Sequence, residues 1–253
     1  MPVLASPGEP APMVIDAHCH AGRGVKMQDP WSTRADPEVT LRHMAEAGID
    51  RTVIFPIENP GYEKANEEIA EICGRNPKKF IGFARHDEAI EGGRIPGLFK
   101  REVESLGLKG FKIIGRPPSP ETLEVIAGLG VPVLYHSGKV AIFKSLAESY
   151  PKVPFIAAHL GSYNFLWNEH VEAISLARQY PNIYLDSSCV GFWQIFEMAV
   201  KEAGPGKLIF GSDGPEFDSR MALYRIKLLK LAPAEEAQVL GGNIRRLLPG
   251  GSV

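Results

Sequence analysis

"LKGFKIIGRPPSPETLEVIAGLGVPVLYHS", residues 108–137, holds the pattern that decides the fold. A short apolar run, 108–114, leads into the helical stretch 120–130, and a second apolar run, 131–137, follows at once. Runs that are short, β-branched and apolar on both faces suit strands covered on either side, as in a parallel sheet. The helix between them is the crossover that parallel neighbours require.

The same unit repeats in both directions. Upstream, apolar runs at 13–18, 51–57 and 80–87 precede helical patterns at 37–48, 63–77 and 98–107. Downstream, runs at 153–161, 182–188 and 207–213 precede helical patterns within 166–179, 193–204 and 219–231, and 140–151 follows the run at 131–137. Eight strand–helix units in 253 residues predict a distorted (β/α)8 barrel built as one domain over 1–253. A doubly wound open sheet is the alternative, but no G-x-G-x-x-G follows the first strand. The tail 233–251 reads as two short helices broken at Gly241-Gly242, with Asn243 capping the second.

Composition excludes several function classes. The chain is 44% hydrophobic and 23% charged, with formal net charge −2, so no basic field favours nucleic acid or an anionic membrane surface. No apolar run is long enough to span a bilayer. Residues 1–12 read as a flexible lead-in without signal-peptide character. Three widely spaced cysteines, Cys19, Cys73 and Cys189, give no disulfide framework and fit the cytoplasm.

Chemistry in such a barrel gathers at the C-terminal strand ends. The first run ends in Asp16-x-His18-x-His20, the fourth carries Lys112, the fifth ends in His136, the sixth in His159 and the eighth in Asp213. Strand period places Asp16, His18 and His20 on one face and turns Cys19 to the other as a small buried filler. Two histidines cannot close a metal site alone, but His136, His159 and Asp213 can converge on the same mouth. Imidazoles with a carboxylate suit Zn²⁺, and also Mn²⁺, Fe²⁺ or Co²⁺. Arg23, Arg85, Arg116 and Lys139 follow strand ends and are candidates for binding an anionic substrate. Trp31, Tyr62, Trp167 and Trp193 could line the mouth or simply pack, and Glu58 and His86 are candidate supporting groups.

"IDAHCH", "GFKIIG", "VLYHSG", "FIAAHLG", "IFGSDGP" and "VLGGNIRRLL" occur in that order from Val14 to Leu248. Together they resemble the amidohydrolase superfamily, in particular its amidohydrolase-related branch of metal-dependent hydrolases and decarboxylases. The resemblance implies one divalent metal, Zn²⁺ first, held by His18, His20, His136 and Asp213. It implies Asp213 as the base that takes a proton from water and His159 as the group that acts on the substrate, or binds a second metal in two-metal members. Lys112 would bridge two metals if carboxylated, or meet a substrate carboxylate if not. The implied activity is hydrolysis of a C–O or C–N bond in a small anionic lactone, ester or amide by metal-activated water. Decarboxylation of a small aromatic or conjugated acid is the alternative; metal-free lactone hydrolysis and a non-catalytic ligand-binding barrel are the minor ones. The expected partner is a small-molecule substrate, with a homodimer possible.

Overall fold

The computed structural model describes residues 12–25, 34–163 and 166–251. The flexible lead-in expected over 1–12 lies, save for Pro12, outside these residues, as does Trp31. The strands are β1 (Ile15–Ala21), β2 (Arg51–Pro56), β3 (Phe80–Gly82), β4 (Ala84–His86), β5 (Phe111–Gly115), β6 (Val133–Ser137), β7 (Phe155–Ala157), β8 (Ile183–Asp186) and β9 (Leu208–Ile209). The helices that follow them include α1 (Pro37–Ala47), α2 (Glu63–Arg75), α3 (Ile95–Glu104), α4 (Pro120–Leu129), α5 (Ile142–Ser149), α6 (Trp167–Gln179), α7 (Trp193–Met198) and α8 (Ser219–Leu228). Every ladder is parallel, in the order β1-β2-β3 and β4-β5-β6-β7-β8-β9. The architecture is a distorted (β/α)8 barrel whose continuous ladder is interrupted at two seams.

Both seams are stitched by a few backbone hydrogen bonds outside the continuous ladders. The expected third strand, 80–87, breaks at Phe83, where the chain changes partner. The Phe83 N–H donates to the Ile54 carbonyl on one side at 2.9 Å, and that of Ala84 to Gly110 on the other at 2.9 Å. The other seam lies between β1 and the segment after β9: Ala17 N–H donates to Phe210 at 2.9 Å, Asp213 N–H to His18 at 2.8 Å and His20 N–H to Gly214 at 2.6 Å.

Two apolar layers follow from strand alternation. Val53, Phe55, Phe83, Leu134, Ile156 and Ile209 fill the inside. Ile54, Ala84, Phe111, Val133, Phe155 and Leu185 face the helices. The C-terminal segment plugs the inner layer: Ile244, Leu247 and Leu248 join the inside cluster. It comprises α9 (Pro233–Ala237), a wide π-helical turn over Gln238–Gly242 and α10 (Asn243–Leu247), so no break occurs at Gly241-Gly242. Asn243 is helical and does not cap; its buried amide donates to the Pro205 and Leu208 carbonyls, both at 2.7 Å. Gly241 is required there, because a Cβ would lie 2.1 Å from the Met13 carbonyl oxygen.

Candidate metal centre and active site

The first strand differs from simple alternation in a way that builds the site. Its pairing with β2 shifts register between Asp16 and Cys19. Before the shift Ile15 and Ala17 belong to the inside layer; after it Cys19 and Ala21 belong to the outer one. His18 and His20 therefore face inward, and Cys19 is the buried filler expected. Asp16 does not share their face. Its carboxylate is spent across the seam, accepting from the Ser212 N–H at 2.9 Å, the Ser212 hydroxyl at 2.5 Å and the His18 N–H at 3.1 Å. Burial, opposed by these bonds, raises its pKa to about 7.

Alternation on the other strands sends Arg85, Lys112, His136 and Asp186 to the inside. His159 and Asp213 arrive differently. Both sit just past their strands in left-handed backbone, with φ of 57° and 62°. For residues with a Cβ this conformation is uncommon and concentrates at functional positions. The bend after β7 carries His159 into a cavity of about 600 Å³ that His18, His20, Lys112, His136 and Asp213 also line.

Asp213 is the hub. Its Oδ1 lies 3.1 Å from His18 Nε2 and 3.2 Å from His20 Nε2, and its Oδ2 accepts the Cys189 thiol at 3.0 Å. Donor atoms of His18, His159 and Asp213 all fall within 4.8 Å of one another. His136 stands edge-on to His159, with ring centroids 4.6 Å apart, and stacks on Tyr163 at 5.9 Å.

Hydrogen bonds on the far side fix the tautomers. His18 Nδ1 donates to Asp186 Oδ2 at 2.7 Å, and His20 Nδ1 to the Pro56 carbonyl at 3.4 Å. The Ser188 hydroxyl gives its proton to Asp186 and accepts from His159 Nδ1 at 2.8 Å. In all three rings Nδ1 carries a hydrogen, so Nε2 is the nitrogen available to a metal or to a second proton. Histidines that bind metals are supported in this way, by a carboxylate, carbonyl or similar acceptor behind the ring.

Electrostatics points the same way. Burial holds His159 well below its ordinary pKa, His20 down to about 4 and His136 down to about 3, the last helped by Lys112 and His18. These rings are neutral at pH 7. Burial opposes the ionised form of Asp213, yet His18 and His20 keep it well below the carboxylate range. Burial and Lys112 push His18 down, but Asp186 and Asp213 outweigh them and its pKa is raised. The approach of these nitrogens to the Asp213 oxygen is relieved by positive charge: the raised pKa of His18 supplies it as a proton, and a divalent cation would displace that proton. The donor set fits a divalent cation on its own chemistry: neutral imidazole nitrogens, an ionised carboxylate and a supported second layer.

The remaining sequence candidates divide. Lys112 is buried with Nζ 3.2 Å from His18 Nε2, above the Phe55 ring, and burial lowers its pKa to about 8. Arg85, Tyr62 and Glu58 line the same cavity. Arg23 does not; it is exposed and pairs with Glu68 at 3.0 Å. Arg116, Lys139 and Trp167 are exposed and also lie outside the cavity lining, and Trp193 packs on Phe196. His86 points outward, away from the cavity, into a buried ion cluster.

Asp186, Ser188 and Cys189 are not marked by the histidine pattern, yet they hold His18, His159 and Asp213. Asp186 ends β8, so the strand-end criterion applied to every strand would have found it. Its accommodation explains a glycine in "FGSDG": a Cβ on Gly211 would sit 2.0 Å from Asp186 Oδ1.

Comparison with known proteins identifies the family and the fold. The family model described as amidohydrolase matches residues 15–250. A search of curated protein sequences gave no match. Among solved structures, the fold is similar to 5-carboxyvanillate decarboxylase LigW from Sphingomonas paucimobilis. That pair has a TM-score of 0.71 at 15% identity, over 94% of this chain and 99% of the other. A probable 2-pyrone-4,6-dicarboxylic acid hydrolase from Acinetobacter baumannii gives 0.70 at 15%, over 92% and 98%. A dihydroxybenzoic acid decarboxylase from Polaromonas, solved with manganese and the inhibitor 2-nitroresorcinol, gives 0.68 at 18%, over 93% and 96%.

Proposed function

The chain belongs to the amidohydrolase family of metal-dependent hydrolases and decarboxylases, and from that premise we propose that it hydrolyses a C–O or C–N bond of a small anionic lactone, ester or amide. The observation that carries the reading is the set of imidazoles, each with its Nδ1 bonded to an acceptor, gathered around the ionised carboxylate of Asp213.

His18, His20, His136 and Asp213 are assigned as ligands of one divalent cation, Zn²⁺ first and Mn²⁺, Fe²⁺ or Co²⁺ otherwise. Bound there, a cation supplies Lewis acidity, polarising an oxygen and lowering the pKa of water. Asp213 takes the proton released by the attacking water: it borders the cavity, with Oδ2 held by Cys189 and Oδ1 against His18 and His20. His159, kept in one orientation by Ser188, turns Nε2 to the cavity; that nitrogen takes the proton from Asp213 and delivers it to the leaving group. Lys112 and Arg85 supply positive charge to an anionic substrate. The donor spacing by itself groups His159 with His18 and Asp213, so the two roles are separable by experiment. Metal content should fall in His136→Ala and persist in His159→Ala, while both lose turnover. The reverse pattern would exchange the assignments, and purified protein that binds no metal under any loading condition would remove the reading.

Decarboxylation of an aromatic or conjugated acid is the second reading. Lys112 favours it: a buried amine 3.2 Å from a metal-side imidazole nitrogen can take a carboxylate directly beside the reacting groups. A panel of lactones, esters, amides and aromatic acids, followed by acid release and by CO₂ release, separates the two.

A further inference from the structure

Arg85 is buried, yet it makes no ion pair. Its Nη1 donates to a neutral acceptor, the Pro56 carbonyl, at 3.0 Å, and its guanidinium lies 4.9 Å from the centre of the Tyr62 ring. Among the described residues no carboxylate comes within 4.0 Å of it. Glu58 and Asp87 are near enough to act on it electrostatically but stand outside contact. Buried charges in proteins are ordinarily paired, because desolvation costs several kcal/mol per ion. A guanidinium also keeps five N–H donors in a planar fork that matches a carboxylate. Among the described residues only one of these donors has a hydrogen-bond acceptor, and Arg85 lines the cavity.

The backbone around it is held with unusual thoroughness. The Asn66 side chain clamps Arg85 twice, accepting from its N–H at 2.9 Å and donating to its carbonyl at 3.1 Å. The other Asn66 amide hydrogen goes to Glu102 at 2.8 Å. Glu102 and Glu91 hold the His86 ring between them, each at 2.7 Å, and the second Glu91 oxygen accepts the Tyr62 N–H at 2.7 Å. One buried cluster thus ties down both Arg85 and the ring on which it lies. Buried ion clusters of this kind add little net stability over apolar packing, so orientation is the better account of this one.

We infer that Arg85, lying on Tyr62, is the seat for a carboxylate that the substrate carries away from its reacting carbon, and that Asn66, His86, Glu91 and Glu102 position it. The seat is close to the metal-side groups. Pro56 O accepts from Arg85 at 3.0 Å and from His20 at 3.4 Å, and His20 reaches Asp213 at 3.2 Å. That short chain of contacts suits a small, planar acid with its reacting group at one end and its anion at the other. The acidic mouth residues Glu58, Asp87 and Glu216 limit the preference to one compact anion. The inference rests on the proposed reaction and deepens it, since a carboxylate held at Arg85 is a handle and not the group that is lost.

Calorimetry with benzoate and its neutral analogue benzamide tests this on the full chain, both freed of metal by chelation and reloaded with Zn²⁺. The wild type should prefer benzoate by about tenfold or more in the metal-free protein, where no cation can bind the carboxylate. Arg85→Gln should abolish that preference and Arg85→Lys should keep part of it. Asn66→Ala should cut the benzoate-to-benzamide ratio severalfold while leaving Zn²⁺ affinity unchanged, an outcome that general loosening would not give. Equal benzoate binding by wild type and Arg85→Gln, with both folded by circular dichroism, overturns the inference whatever the metal does. Absent Zn²⁺ binding alongside an Arg85-dependent benzoate preference would instead overturn the proposed function and leave the seat standing.

Discussion

Two buried histidines in this molecule each lie between two carboxylates, and their surroundings make them opposites. His86, outside the barrel wall, bonds Glu91 and Glu102 at 2.7 Å each. His18, inside, meets Asp186 at 2.7 Å and Asp213 at 3.1 Å. Burial works against the charge on His86, but the two glutamates outweigh it and lift its pKa to about 9. The outer cluster is closed: both ring nitrogens donate, and the glutamate oxygens are taken up by Asn66 and Tyr62. The inner cluster is open. His20 Nε2 also reaches Asp213, a lysine approaches the same His18 nitrogen, and all of them border a cavity. A histidine between carboxylates is an ion pair when every acceptor around it meets a donor. It becomes a ligand when too many lone pairs converge on one place.

The largest effect expected of this contrast is on the inner side. Asp213→Asn removes the charge on which both histidines converge. Metal affinity should fall more than ~100-fold, beyond the usual cost of losing a supporting partner, and turnover should fall with it. Metal titration monitored by calorimetry checks the first and the substrate panel the second. An Asp213→Asn protein that holds metal as the wild type does would make the inner cluster another closed ion network.

On the outer side the expected loss is of stability. His86→Ala strands Glu91 and Glu102 without their shared partner, and breaking a buried ion pair costs about 3–5 kcal/mol. Urea unfolding should report it, while the metal stoichiometry of the folded fraction stays that of the wild type. A change below ~1 kcal/mol would mean that water or rearrangement already satisfies the glutamates.

The same cluster carries a pH signature. The folded pKa of His86, about 9, lies above the ordinary 6.5. The stabilisation is therefore fully present below pH 6.5 and is lost as pH rises through about 9. A shift of this size corresponds to about 3 kcal/mol, as an order of magnitude. Unfolding midpoints at pH 7 and pH 10 should differ more in the wild type than in His86→Gln. Parallel curves for the two proteins would show that His86 is not charged in the folded state.

The inner cluster was the more legible of the two in the sequence, because its histidines fall at strand ends in a spacing that means little elsewhere. The strand–helix alternation was legible for the same reason that it folds: period and length separate buried strands from amphipathic helices. What was not legible depends on contacts distant along the chain. The register shift between Asp16 and Cys19 moves Asp16 off the histidine face, and nothing in "IDAHCH" marks it. Phe83 changes partner in the middle of an apolar run that reads as one strand. Arg23 and Arg85 look alike as cations after strand ends, but one pairs with Glu68 on the surface and the other lies buried on Tyr62. His86 differs from the inward-facing His136 in strand parity, being one step from the inward Arg85.

The smallest expected effect probes what holds the inner rings in place. Ser188 relays between two of them: its hydroxyl donates to Asp186 and accepts from His159 Nδ1 at 2.8 Å. Ser188→Ala removes the acceptor and frees His159 to rotate or change tautomer, while the His159 backbone N–H stays bonded to Asp186 at 3.2 Å. Asp186 keeps its bond to His18, so the other rings hold their orientation. Losing a group behind a metal-site histidine typically costs about 10- to 100-fold in affinity or activity. If His159 acts on the substrate, Ser188→Ala should lower turnover by about that factor with metal affinity nearly unchanged. If it is a ligand, metal affinity should fall by the same factor. Ser188→Thr, which restores a hydroxyl, should recover most of the loss in either case. A variant with wild-type turnover and wild-type metal affinity would show that His159 needs no fixed orientation, and that the inner cluster is held by Asp186 and Asp213 alone.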